Sequence, residues 1–294
     1  MGIPLQLLAH RIENATKGSL MLDEQRVKAY LERIECDMPS SHGIAALNEL
    51  TCAHQLHIPF ETVTIHRRGV APKLDLDTLF EKLITRKLGG YCFELNKLFE
   101  ELLVSLGFKA RPALSRAVRG RAGRMPINHR GIIVEADEGT CSVDVGFGGP
   151  MPAGALLLSD GLEQDVFGET YTPWQTHGSW WKIERLTKAA GDNYDDDKPV
   201  RRQVELELCE AVVEDIDFDA LNLFFSQPDT LFHDHEIVNL RTPDGYIGFK
   251  DGVLTIRENG CKTVRVIDGA DEVNEALARY FDLRNVDEAV REGF

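Results

Sequence analysis

The sequence has no closely spaced cysteine pair and no excess of positive charge. Its six cysteines are scattered without a C-x-x-C pair. Neither a zinc site nor a disulfide framework is therefore indicated, and we expect reduced thiols and no bound metal. Acidic residues outnumber basic ones, which gives a formal net charge of -15. This balance disfavours nucleic acid and anionic membranes as partners, because both require clustered Lys and Arg.

Signals for membrane insertion and secretion are also missing. No stretch reaches the roughly 18 consecutive apolar residues that a membrane span needs. The segment from Met1 to Leu8 lacks a charged region followed by a long apolar run, which a secretory signal would show. We therefore expect a soluble, cytoplasmic protein that acts on small molecules, and its oligomeric state stays open.

The first part of the chain has the periodicity of helices. With 43% hydrophobic and 28% charged residues among 294, the chain is expected to bury an ample core. Residues 1–107 are predicted to form a helical domain, with Asp77 as a candidate helix cap and Gly107 just past the last helix. The apolar residues at helical spacing are Val27, Tyr30, Leu31 and Ile34; Leu79, Phe80, Leu83 and Ile84; and Leu98, Phe99, Leu102, Leu103 and Leu106.

The periodicity then changes to that of strands. β-rich runs flank the turn from Asp137 to Gly139, so residues 108–199 are predicted to form a β domain. The acidic loop 191–199 at its end is interpreted as a solvated linker. Residues 200–294 combine strand-like runs, turn signals and a final helix near Asp271, which predicts a smaller α/β unit.

Cys92 is the first candidate for chemistry. It follows the double glycine Gly89-Gly90 and begins a helix with an apolar stripe. Free backbone N–H groups and the positive end of the helix dipole favour an anion at such a position, and the thiolate is the nucleophilic form of cysteine. Most free cysteines are small buried hydrophobes, so this interpretation requires a base nearby.

His129 and Asp144 supply that base and a residue to orient it. His129 precedes one strand run and Asp144 ends the next, so a hairpin would bring both to one edge of the sheet as diagonal neighbours. The strand register, which decides whether they share a face, is left undetermined. Asp144 lies between two valines, where a buried carboxylate is costly unless it is paired.

With these residues in order, the chain resembles the arylamine N-acetyltransferases. The resemblance runs over nearly the whole length of the chain. It rests on short sequence motifs that are strongly specific for the family when they occur in this order and spacing. They are Ile58-Pro59-Phe60-Glu61, Gly89-Gly90-Tyr91-Cys92-Phe93-Glu94-Leu95-Asn96, His129, Val143-Asp144-Val145-Gly146-Phe147-Gly148, Asp217-Phe218, Asn222, Pro228, Phe232 and Thr242-Pro243-Asp244-Gly245.

The resemblance implies an α+β multidomain fold. An N-terminal helical bundle, a central β-barrel-like domain and a C-terminal α/β lid would hold a cysteine-protease-like triad of Cys92, His129 and Asp144. It also implies ping-pong transfer from acetyl-coenzyme A, through an acetyl-cysteine intermediate, to the nitrogen of an arylamine, arylhydroxylamine or hydrazine. Acetyl-CoA would be a co-substrate, with no metal required.

The same resemblance implies further site residues. Asn128, Phe147 and Phe60 are expected to bind the acceptor. The segment from Phe224 to Thr230 is expected to hold the coenzyme, through Phe224, Ser226 and Thr230. These assignments follow from the family and not from the spacing of the residues.

The sequence departs from the family at two positions. Leu88 stands directly before the double glycine, where the family usually has an arginine, and Thr62 stands where it usually has asparagine. That arginine normally pairs with the acid that Glu61 matches. Glu61 is therefore expected to use another cation, with Lys87 as the candidate, or to be solvated.

Other classes of function remain open at this point. The rival hypothesis within the same fold is a relative that uses another acyl thioester, for example an amide synthase that takes a carrier-bound acyl chain. A papain- or transglutaminase-type hydrolase uses the same residue types, but the papain sequence motif around the cysteine is absent. In papain-type proteases the histidine lies roughly 130 to 150 residues after the cysteine, far beyond the position of His129. A non-catalytic binding protein is disfavoured because all three triad residues are present.

Overall fold

The computed structural model describes residues 21–149, 151–188 and 200–294. The acidic loop 191–199 lies outside the described residues. The first unit is helical, with one short strand. It consists of α1 (Glu24–Arg33), α2 (Ile44–His57), β1 (Phe60–Glu61), α3 (Val63–Arg68), α4 (Leu76–Phe80), a π-helical turn (Glu81–Thr85) and α5 (Cys92–Ser105).

Helix α5 is the centre of this unit. Apolar residues on several of its sides are fully buried, which is typical of a helix surrounded by other elements. Helices α1 and α4 and the π-helical turn pack around it or beside it through their own apolar stripes. The buried apolar residues of α5 are Phe93, Leu95, Leu98, Phe99, Leu102 and Leu103.

The second unit is an antiparallel eight-stranded sheet in the order β5-β4-β3-β2-β9-β8-β7-β6. The Gln164 side chain links its two ends, because its amide donates to the Leu157 carbonyl and accepts from the Leu157 N–H. The sheet is therefore nearly closed into a barrel. Its strands are β2 (Lys109–Ala117), β3 (His129–Ala136), β4 (Gly139–Val143), β5 (Leu156–Leu157), β6 (Gln164–Val166), β7 (Glu169–Gln175), β8 (Trp180–Lys188) and β9 (Val200–Cys209).

The structure corrects the predicted boundary between the second and third units. Strand β9 pairs with β2 and β8, and its Leu206 and Leu208 are fully buried in the barrel core. Residues 200–209 were assigned to the C-terminal unit, but their alternating apolar side chains belong to the barrel. The C-terminal unit therefore begins after Cys209.

The third unit packs helices on an antiparallel sheet in the order β1-β10-β11-β12-β13. Strand β1 comes from the helical unit and pairs with β10, and its Phe60 also forms a bridge with Gly90. The elements of this unit are α6 (Asp217–Phe225), α7 (Leu231–Asp234), β10 (Ile237–Thr242), β11 (Gly245–Lys250), β12 (Val253–Glu258), β13 (Cys261–Val266), α8 (Ala270–Phe281) and α9 (Val286–Glu292).

The predicted turns and the final helix are found in this unit. Asp251-Gly252 and Asn259-Gly260 form two-residue hairpin loops in which both residues have positive φ, as tight hairpins require. The final apolar pattern forms α8, which begins at Ala270, one residue before the predicted start. No helix among the described ranges is long and apolar enough to cross a membrane.

Asp75, not Asp77, caps α4. Its carboxylate accepts a hydrogen bond of 2.9 Å from the Thr78 N–H, whereas Asp77 lies inside the first turn. We predict that Asp75→Ala lowers the free energy of unfolding by about 1 kcal/mol, the usual contribution of an N-cap. Asp77→Ala is the matched control. Asp77 forms only an exposed ion pair with Arg26, so its loss is expected to stay within about 0.5 kcal/mol. Urea unfolding of both variants tests this assignment, and equal losses would contradict it.

Candidate active site

Cys92 is the first residue of α5 and is almost fully buried. The residue before it, Tyr91, is extended, and its N–H donates to the Glu94 carboxylate over 3.1 Å. Glu94 thus reaches back to satisfy a backbone donor just before the helix begins. The thiol lies where the helix dipole favours negative charge.

The barrel touches the start of α5 closely enough that only glycine fits. A Cβ atom on Gly146 would lie 2.8 Å from the Cys92 Cα, and one on Gly89 would lie 2.4 Å from the Pro59 carbonyl oxygen. Both distances are too short for any side chain. The backbone at Cys92 and at the double glycine before it is therefore held by direct backbone packing.

His129 and Asp144 form a buried pair at the edge of the barrel. His129 Nε2 lies 2.5 Å from Asp144 Oδ2, and both side chains are about 3% exposed. Strands β3 and β4 are in a register that pairs Ile132 with Val143, which makes the two residues diagonal neighbours. This is the register that the sequence left undetermined.

Asp144 also has neutral hydrogen-bond partners. Its Oδ1 accepts from the Asn96 amide over 3.0 Å and from the Gly146 N–H over 2.8 Å. Asn96 lies four residues after Cys92 on α5, and its own oxygen accepts from the Val145 N–H. The sequence interpretation gave Asn96 no role, although a polar residue on the inward side of an apolar helix was a usable signal.

The environment of His129 favours its charged form. Burial lowers the pKa of His129, but the Asp144 charge, the Asp144 hydrogen bond and the neighbouring Cys92 outweigh burial and raise the pKa to about 10. Because Nε2 faces Asp144, Nδ1 is the ring nitrogen left for Cys92. The imidazole thus lies between the Asp144 carboxylate and the Cys92 thiol.

Glu61 pairs with Lys82, so the prediction of Lys87 is wrong. Lys82 Nζ lies 3.1 Å from Glu61 Oε1 and 2.8 Å from Glu94 Oε1, and all three side chains are at most 3% exposed. Lys82 also contacts the Thr64 hydroxyl. Burial lowers the pKa of Lys82, but the two carboxylates outweigh it and raise the pKa. We name Glu61, Lys82 and Glu94 the buried charge trio.

The two departures from the family pattern each have a structural role. Leu88 is buried in the core of the C-terminal unit, together with residues such as Val63 and Phe249. The Thr62 hydroxyl donates to the His235 carbonyl and accepts from the Ile237 N–H. Both residues therefore join the helical unit to the C-terminal unit.

The residues expected to bind the acceptor lie in different environments. Phe147 is buried, and its ring centre is 5.6 Å from that of His129 in an edge-to-face contact. Phe60 is buried against Phe232, with ring centres 6.1 Å apart. Asn128 is half-buried, and its side-chain oxygen accepts from the Ala117 N–H. Their roles stay predictions.

The three residues expected to hold the coenzyme lie around the end of α6. Phe224 is 58% exposed. Ser226 is fully buried, and its hydroxyl donates to the Asn222 carbonyl. The Thr230 hydroxyl lies within hydrogen-bond distance of the Phe225 carbonyl. Of the three, Phe224 has the largest surface available to a ligand, and the assignment of all three stays a prediction.

Comparisons with known proteins agree with this architecture. A family model described as N-acetyltransferase matches residues 43–290. The arylamine N-acetyltransferase / N-hydroxyarylamine O-acetyltransferase of Salmonella typhimurium is 34% identical over 156 residues, which cover 52% of this chain and 54% of that protein. The chicken (Gallus gallus) arylamine N-acetyltransferase, pineal gland isozyme NAT-3, is 30% identical over 233 residues, which cover 74% of this chain and 79% of that protein.

Further comparisons concern a synthase and a solved structure. Proansamycin X synthase of Amycolatopsis mediterranei is 30% identical over 140 residues, covering 47% of this chain and 54% of the synthase. The solved arylamine N-acetyltransferase of Salmonella typhimurium has a TM-score of 0.79 at 26% identity, covering 93% of this chain and 100% of that one. The sequence matches span about half the length of the curated bacterial relatives.

The family model covers most of the chain, and the chicken relative is similar over about three quarters of it. The protein is thus an acyltransferase by family. More narrowly, the chain belongs to the arylamine N-acetyltransferase family. Within the described ranges, no group of three or more His, Cys, Asp or Glu side chains is arranged to hold a metal ion.

Removing Lys82 tests the buried charge trio. We predict that Lys82→Met lowers the free energy of unfolding by roughly 3–5 kcal/mol, because it leaves two buried carboxylates without a cation. Lys87→Met is the matched control. Lys87 is exposed, and its replacement is expected to change the free energy by less than about 0.5 kcal/mol. Urea unfolding measures both variants, and a larger loss in Lys87→Met would restore the original prediction.

The raised pKa of His129 predicts a pH-dependent stability. A histidine in an unfolded chain has a pKa of about 6.5, and the folded value is about 10. The stabilisation is therefore full below the unfolded value and is lost as pH rises towards about 10. We predict that the difference in unfolding free energy between wild type and His129→Gln shrinks as pH rises through this window.

Asp144→Asn serves as the comparison variant in the same titration. Because the Asp144 charge is the main group that raises the pKa of His129, this variant is expected to lose most of the pH dependence. Parallel stability curves for wild type and His129→Gln across the window would contradict the assignment.

Proposed function

We propose that the protein transfers an acetyl group from acetyl-CoA to the nitrogen of arylamines, arylhydroxylamines or hydrazines, by a ping-pong mechanism through acetyl-Cys92. The observation that carries this proposal is the buried pair of His129 and Asp144, with 2.5 Å between the imidazole and the carboxylate, next to Cys92 at the start of α5. Membership of the arylamine N-acetyltransferase family supports the same reaction class.

In the first half-reaction, His129 holds the proton of the Cys92 thiol as a charged imidazolium, and the Cys92 thiolate attacks the carbonyl carbon of the donor thioester. A carbon–sulfur bond to Cys92 forms, and the bond to the coenzyme sulfur breaks. The coenzyme leaves as a thiol after receiving the proton from His129. Asp144 holds the imidazole in orientation and stabilises its charged form, which its raised pKa supports.

In the second half-reaction, the acceptor nitrogen attacks the acetyl carbonyl carbon. His129 takes a proton from the nitrogen as the amide bond forms. The bond to the Cys92 sulfur then breaks, and the proton returns to that sulfur. The Phe147 ring lies against His129, and Phe60 forms a bridge with Gly90 just before α5. The apolar surface of these rings suits an aromatic acceptor.

A second candidate within the same fold is an amide synthase that uses another acyl thioester. The similarity of this chain to proansamycin X synthase supports this second candidate. The triad performs the same chemistry in an acetyltransferase and in an amide synthase, so its presence does not distinguish the two candidates. Donor choice depends on the width of the cleft and on the residues around the end of α6.

Acylation of Cys92 without an acceptor tests the proposal. We predict that acetyl-CoA adds one acetyl group to the Cys92 peptide and releases one free thiol, as measured by mass spectrometry and thiol titration. Cys92→Ala is expected to abolish both, because it removes the nucleophile that lies next to His129. Cys261→Ala is the matched control, since Cys261 is an exposed free cysteine far along the chain, and it is expected to react normally.

The same measurement separates the donors. Acetyl-CoA and a carrier-bound acyl thioester are offered at equal concentration, and the group found on Cys92 identifies the preferred donor. Acetyl transfer by Cys92→Ala at a rate near that of wild type would contradict the proposed mechanism. Thioester turnover that is equally fast with and without an amine would indicate a hydrolase instead.

A further inference from the structure

The loop that follows β4 carries the contacts that hold the imidazole of the candidate active site. Asp144 begins this loop and pairs with His129. Further along the loop, Phe147 packs its ring edge-on against the same imidazole. We name residues 144–152 the triad loop, of which all but Pro150 are described. The position of this loop therefore decides how His129 is held.

Side chains, rather than strand pairing, hold the triad loop in place. Within its described residues, the main-chain hydrogen bonds all involve side chains. A strand is fixed by the ladders on its two sides, whereas a loop of this kind takes the position that its side-chain partners impose. Residues outside the triad can therefore set the geometry of the triad.

Gln55 on α2 binds both ends of the triad loop. Its Nε2 donates to the Asp144 carbonyl over 2.8 Å and to the Pro152 carbonyl over 2.9 Å. Because one amide group binds both carbonyls, it fixes the separation between the first and the last residue of the loop. Gln55 thus holds Asp144 from the main-chain side, while Asn96 and Gly146 bind its carboxylate.

Arg241 on β10 adds a contact from the C-terminal unit. Its Nε donates to Gln55 Oε1 over 2.7 Å, which fixes the orientation of the amide with its nitrogen towards the triad loop. Its Nη2 donates to the Met151 carbonyl and lies 3.7 Å from the Glu169 carboxylate. Helix α2, the triad loop and the C-terminal sheet therefore meet at one amide group.

We propose that Gln55 and Arg241 are positioning residues that set the place of Asp144 against His129 and so tune the reactivity of Cys92. Gln55 holds the Asp144 main chain, and Arg241 holds the Gln55 amide in the orientation that donates. The contact that they protect is the 2.5 Å pair of imidazole and carboxylate, and a charge-assisted hydrogen bond of this kind weakens when its geometry is disturbed. The predicted effect on acetyl transfer rests on the proposed function, whereas the effect on His129 does not.

The charge of His129 reports the geometry of this contact. Burial lowers its pKa, and the groups that outweigh burial are Asp144, by its charge and its hydrogen bond, and the neighbouring Cys92. The Asp144 charge also acts on the guanidinium of Arg119. A displaced Asp144 carboxylate lowers the pKa of His129, whereas the loss of the Arg241 cation by itself raises it. A fall in the pKa of His129 therefore reports position and not charge.

The first test is a titration of His129, followed by NMR of its ring protons and assigned by comparison with His129→Gln. Wild type is expected to titrate at about 10. Gln55→Met keeps the length of the side chain but removes its donor and its acceptor. Its midpoint is expected to fall by about one pH unit, the effect of a weakened charged hydrogen bond.

Arg241→Met is expected to lower the same midpoint by a smaller amount, because the Gln55 amide still reaches the triad loop. The double variant Gln55→Met/Arg241→Met is expected to match Gln55→Met alone. Two residues that act through one amide group give effects that do not add.

Two variants serve as matched controls. Asn48→Ala removes a second polar side chain of α2, whose Oδ1 accepts from the Ala155 N–H beyond the triad loop. Arg67→Met removes an arginine that is 20% exposed, as Arg241 is, and that joins the helical unit to Glu236 and Asp287 of the C-terminal unit. Both variants are expected to lose stability in urea unfolding but to keep the wild-type midpoint of His129.

The second test measures the reactivity of Cys92. In Gln55→Met the rate constant for acetylation by acetyl-CoA is expected to fall at least about tenfold, because a small displacement of a catalytic group has a large effect on rate. Binding of free coenzyme A, measured by calorimetry, is expected to stay unchanged. Alkylation of Cys92 by iodoacetamide needs no acetyl donor, and it is expected to slow in Gln55→Met but not in the two controls.

Three results would overturn the proposal. An unchanged His129 midpoint in Gln55→Met, with stability lost, assigns Gln55 a structural role only. Equal shifts in Gln55→Met and in both controls mean that any loosening between the units disturbs the triad. A raised midpoint in Arg241→Met means that the arginine acts through its charge. If wild-type Cys92 is alkylated but not acetylated, the proposed function fails, and the titration still decides the positioning roles.

Discussion

The ionised carboxylate of Asp144, buried at the end of a strand, is the constraint on which the site depends. A buried charge is tolerated only when it is paired and hydrogen-bonded. Its partners come from three places: His129 on β3, Asn96 on α5 and the backbone of Gly146. Satisfying this one charge therefore fixes the barrel edge against the helix that begins at Cys92.

A second buried group of charges stabilises the other side of the same helix start. The buried charge trio contains two carboxylates and one ammonium group, so it is not neutral when fully ionised. Burial raises the pKa of Glu94, and Lys82 opposes this rise. Buried ion triads of this kind contribute little net stability, but removal of one member strongly destabilises the folded protein. Its main effect here is to fix the turn of Tyr91 and Cys92.

Local patterns in the sequence predict much of this architecture, whereas contacts between distant segments escape them. The helical spacing of apolar residues predicts α5 and the position at which it begins. The valines on either side of Asp144 indicate that the charge of this residue must be paired. Lys82 was missed because it lies on an otherwise apolar stripe, and a π-helical turn changes which side of the helix its residues face. The place of β9 depends on long-range strand pairing.

The short strand β1 limits how the molecule can open. Phe60 and Glu61 pair with Asn239 and Val238 of β10, while the Glu61 N–H donates to the Gly90 carbonyl. The C-terminal sheet is thus joined by backbone hydrogen bonds to the turn that presents the thiol. It cannot swing away as a hinged cover without moving that turn. Any displacement of the C-terminal sheet is therefore transmitted through β1 to Gly90, and so to the position of the nucleophile.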